Sequence, residues 1–190
     1  MATHRPGGFL IVLALFLAIA ASITFPVSYY MARDEAAREA ILASNRSGWV
    51  MASWLWIASG VTAAAGVLLV ALSLPGKLAL AGAGVFAIGC LFWVIYAYLR
   101  SLDPEFSDTG LWMEATFGWL TMAGFAMLGI VFLRSGLFRW AAIIHLGYAL
   151  LFLIAFLLLR NQMYDFFPPQ SVFLVGLPMG ILALKSNLGP

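Results

Sequence analysis

Charge is what this sequence has least of. Asp, Glu, Lys and Arg make up 9% of its 190 residues, where a water-facing domain carries about 25%. So few charges cannot cover a surface exposed to water. A soluble globular domain, a disordered chain and a charge-rich coiled coil are excluded on that ground. Cysteine is nearly absent too. The single Cys90 cannot form an intrachain disulfide, and thiolate zinc or iron–sulfur chemistry needs several ligands. Histidine occurs only as His4 and His145. There is no basic run, which argues against a nucleic-acid partner, and no cluster of Lys and Arg flanks an apolar segment as a dock for anionic lipid.

What the sequence has in abundance is apolar residues, 64% of the chain, with a mean hydropathy of +1.00. A helix needs about 20 apolar residues to cross a hydrocarbon core of roughly 30 Å. Six runs meet or approach that length: residues 9–30, 49–74, 78–99, 111–133, 137–159 and 166–184. They lack the alternation of barrel strands, so they are expected to be helices. The fold class expected is all-α: one transmembrane domain over residues 1–190, a six-span up-and-down bundle with the lipid bilayer as its first partner. The sixth run is the weakest. Pro168 and Pro169 open it and Pro178 lies inside it, which predicts a kink.

The connections differ in kind. Pro75-Gly76-Lys77 and Arg134-Ser135-Gly136 are tight turns, whereas 31–48, 100–110 and 160–170 are longer and polar. The stretch around 33–46, RDEAAREAILASNR, is rich in helix formers and predicts a short interfacial or extended helix, with Asp34 and Arg38 in the favourable i,i+4 order. The short-turn face holds Arg5, Lys77, Arg134, Arg139 and Lys185. The long-loop face holds the other five cations and all eight acids. The cation count is therefore a tie. The acid asymmetry leads us to expect both termini on the cytoplasmic side, most simply of a bacterial inner membrane.

Three polar residues are candidates for an intramembrane site. His145 is the one ionisable group expected well inside a span, where burial is costly and function is the first suspicion. Its open roles are proton carrier, substrate contact or haem ligand, set against a neutral histidine packed between helices. Glu114 opens the fourth span, where the helix dipole favours a carboxylate, and Arg100 closes the third on the same face. Glu114 and His145 are expected about 13 Å apart in depth, too far for an acid–base dyad. Small residues mark close packing of the second, third and fourth spans: Gly60 and Ala64; Ala79, Ala83 and Ala87; Gly118 and Gly124. Trp49, Trp54, Trp56, Trp112 and Trp140 fall near span ends, as an interfacial belt would.

Enzyme motifs fail one by one. AGAG over 81–84 lies inside an apolar run with no strand before it. Trp56–Gly60 has Ile57 where the serine turn of rhomboid-type intramembrane proteases has Gly. The turn FLRSGLFRW, Phe132 to Trp140, and the closing LVGLPMGILAL, Leu174 to Leu184, resemble a broad group of small six-helix bacterial membrane proteins of uncharacterised activity, over the last third of the chain. That resemblance implies the six-helix fold and no catalytic or binding residue. The expectation is a non-catalytic protein with no cofactor, an accessory or assembly subunit partnered by other membrane subunits. The alternatives are a small-solute transporter or channel with His145 in its path, and a membrane enzyme or haem-, pigment- or lipid-binding protein.

Overall fold

The computed structural model describes residues 4–32, 34–104, 110–159 and 171–186. All regular structure there is helical: α1 His4–Thr24, α2 Val27–Met31, α3 Glu35–Ser44, α4 Arg46–Ala71, α5 Lys77–Leu102, α6 Leu111–Ser135, α7 Arg139–Leu159 and α8 Ser171–Lys185. Five of them, α1, α4, α5, α6 and α7, are long and apolar enough to cross a membrane, and α8 is a shorter apolar helix.

The first expected span, 9–30, divides in two. Pro26 has no N–H to donate and disfavours helix at the residue before it, so α1 ends at Thr24 and α2 begins at Val27. At its other end α1 starts at His4, ahead of Phe9, and thereby includes Gly7 and Gly8. Asp34 is not inside α3. It is the N-cap, its carboxylate accepting from the Ala37 N–H at 2.7 Å, while Arg38 Nε donates to the Ala32 carbonyl at 3.0 Å. Asn45 breaks the chain between α3 and α4. Both tight turns depend on glycine: Gly76 has φ 91° and Gly136 φ 69°, values that only glycine adopts without strain. Residues 166–170 of the sixth expected span, Pro168 and Pro169 among them, lie outside the described residues. The described part is α8, 15 residues with Pro178 inside, about 22 Å long and short of a full hydrocarbon core.

The helices form a closed ring in which α4 packs on α1 and α5, α6 on α5 and α7, and α8 between α1 and α7. Neighbours run antiparallel: Gly7 near the start of α1 meets Gly66 and Val70 near the end of α4, and Gly82 early in α5 meets Gly124 and Met127 in α6. Three contacts bring backbone to backbone. A Cβ on Gly7 would lie 2.7 Å from the Gly66 carbonyl, and one on Gly66 would lie 2.8 Å from the Gly7 carbonyl. Gly8 and Gly180 join α1 to α8 in the same way, and Gly82 and Gly124 join α5 to α6. At the short-turn end His4 Nε2 lies 3.1 Å from the Ser186 carbonyl, tying the first helix to the last.

These contacts are van der Waals fits between backbones, the force that holds helices together in lipid, where apolar side chains gain nothing by leaving one another. Gly66→Ala would drive a methyl into the Gly7 carbonyl and the Ile11 backbone N. We expect it to cost about 1–3 kcal/mol in thermal unfolding of the detergent-solubilised protein. Gly84→Ala, which meets nothing within 4 Å, should leave the melting temperature unchanged or slightly raised.

Candidate functional site

The long-loop end of the bundle gathers the polar side chains. Arg100, 7% exposed, lies one turn beyond Tyr96 on α5. Its guanidinium sits 4.1 Å from the Trp49 ring centroid and 5.7 Å from that of Tyr96, within cation–π range. Trp49 Nε1 donates to the Arg100 carbonyl at 2.7 Å. Half-buried Glu114, in the first turn of α6, is in electrostatic contact with Arg100 and hydrogen-bonded by Tyr96. The structure thus brings together Arg100 and Glu114, and adds Tyr96 and Trp49. Behind Trp49, Phe25 packs edge-on at 5.0 Å and Tyr29 tilts against the same indole at 5.3 Å, so the cluster fastens α2, α4, α5, α6 and the link after α1 at one end.

Below it the interior is aromatic. Trp56, Trp93, Phe117 and Phe173, from α4, α5, α6 and α8, close a four-membered ring with successive centroid distances of 5.2, 4.9, 6.1 and 6.1 Å. Trp49 and Trp56 are therefore core residues rather than members of an interfacial belt. They face the bundle axis, whereas Trp54, Trp112 and Trp140 are exposed. The indole Nε1 of Trp93 is buried with no hydrogen-bond partner among the described residues.

His145 lies deeper, wholly buried. Its ring stacks on Phe125 at 4.3 Å and tilts against Phe132 at 5.7 Å. It faces the Val175 backbone carbonyl on α8, but neither ring nitrogen closes a hydrogen bond of normal geometry among the described residues. Glu114 and Phe125 are eleven residues apart on α6, about 16 Å along the helix, so Glu114 and His145 belong to separate environments. One turn beyond His145, the Tyr148 hydroxyl bonds Ser171 Oγ at the start of α8.

Buried hydroxyls turn back onto their own helices: Ser53 to the Trp49 carbonyl, Ser59 to Trp56 and Thr121 to Phe117. They do not line a path. One void lies beside α8, bounded by Ile11, Ala63, Val67, Phe86, Phe125 and Phe173 among others. It is apolar and has room for about one water-sized sphere, with no polar group to hold a water. Among the described residues no three His, Cys, Asp or Glu side chains gather as metal ligands would.

Of the small residues expected at helix contacts, Gly60 meets Val94 and Trp93, Gly124 meets Gly82 and Phe86, and Gly118 lies under the Phe152 ring at 3.5 Å. Ala79 and Ala83 are wholly buried; Ala64 and Ala87 are half-buried. Gly7, Gly8, Gly66 and Gly180 make close backbone contacts and escaped sequence reasoning. The first two precede Phe9, where the apolar run begins, and the last two have no partner visible until α1 is extended to include them. No family model, no curated protein and no solved structure matches this chain.

Two mutational outcomes follow from the geometry. His145→Leu replaces an imidazole whose nitrogens close no hydrogen bond of normal geometry among the described residues by an apolar group of similar size, so stability should be kept or raised. His145→Ala leaves a cavity among Phe125 and Phe132 and should cost about 2–4 kcal/mol. Denaturation in detergent reads both, and a leucine variant clearly less stable than the unmutated protein would show that the ring nitrogens are bonded. Arg100→Met should destabilise the protein by leaving Glu114 without its cation, and adding Glu114→Gln should recover part of the loss. A double-mutant cycle should give a coupling of about 0.5–3 kcal/mol.

Proposed function

We propose that this chain is a non-catalytic integral membrane protein of six spans that acts through its helix surfaces, as an accessory or assembly subunit of a larger membrane complex. The supporting observation is the filled interior. Among the described residues, the aromatic ring of Trp56, Trp93, Phe117 and Phe173 and the contacts of His145 with Phe125 and Phe132 fill the bundle axis, and the void beside α8 holds about one water-sized sphere. A substrate pocket needs concave space of about 300–1,000 Å³, far more than the void beside α8 provides. The Arg100–Glu114–Tyr96–Trp49 cluster is engaged internally, fastening helices.

In this reading both termini lie on the cytoplasmic face, most simply of a bacterial inner membrane, because the short-turn side carries five cations and no acid. The transporter reading draws on His145, buried beside the Pro178-bearing α8 with neither nitrogen in a hydrogen bond of normal geometry among the described residues. The close stacking of that ring between two phenylalanines counts against it, since a proton or solute site needs access to water.

The test is purification of tagged protein from its native membrane in mild detergent, followed by mass spectrometry and an absorption spectrum. The expected result is a stoichiometric partner of larger size and no pigment band. A colourless protein running alone as a compact monomer would overturn the subunit reading, and a Soret or pigment band would overturn the assignment as a cofactor-free protein.

A further inference from the structure

We draw no further inference here: the strongest candidate, the outer face of α7 where Gly147 stands open among Ile143, Leu150, Leu151 and Ile154, is an apolar helix face that nothing in the structure shows to be covered by a partner rather than by lipid.

Discussion

Everything in this fold depends on how closely helix backbones approach at the short-turn end. In lipid, apolar helices gain little by burying one leucine against another, so association rests on shape and on polar links. Here shape is set by glycine. The Gly7–Gly66, Gly8–Gly180 and Gly82–Gly124 contacts put carbonyl oxygens where a Cβ would otherwise be. Two of the three involve α1, which makes the first helix the common neighbour of α4 and α8. The ring closes between the two ends of the chain, and the bond from His4 to the Ser186 carbonyl marks that closure.

From that end toward the long loops, the residues filling the interior change in kind. Ala79 and Ala83 are buried near the short turns, His145 stacks on Phe125 further in, the ring of Trp56, Trp93, Phe117 and Phe173 follows, and Arg100 lies over Trp49 at the long-loop end. Aromatic rings bring large contact area and preferred edge-to-face geometry, as between Trp56 and Trp93. At the long-loop end the charge of Arg100 is accommodated by Glu114 and two ring faces.

Much of this was legible in the residues. Scarcity of charge points to membrane helices, and the long apolar runs locate α4, α5, α6 and α7 to within three residues, while the first run is displaced from α1. Arg100 and Glu114 were recognisable as partners because both stand at span ends on one face. What stayed hidden concerns direction and tertiary contact. Hydropathy does not report which way an indole points, so Trp49 and Trp56 looked like belt residues until α5 and α8 were packed against them. Nor does hydropathy count Gly7 and Gly8 as part of a span, since they follow His4, Arg5 and Pro6 in a polar flank. Pro26 did carry a legible signal, a proline well inside an apolar run, and the break it causes is where α1 ends.

The central claim, that the interior is dry and closed, is tested most directly by thiol labelling. Cys90 is the only cysteine in the chain and is buried on α5; Ala63→Cys in a Cys90→Ser background places a second reporter on the void. Both proteins would be exposed in native membranes to a small hydrophilic methanethiosulfonate, with SDS-unfolded protein as the full-labelling control. A closed interior predicts negligible labelling of either thiol until the protein is unfolded. Labelling of either one in the intact membrane at a rate near that of the unfolded control would mean that water reaches the bundle axis, and would contradict the account.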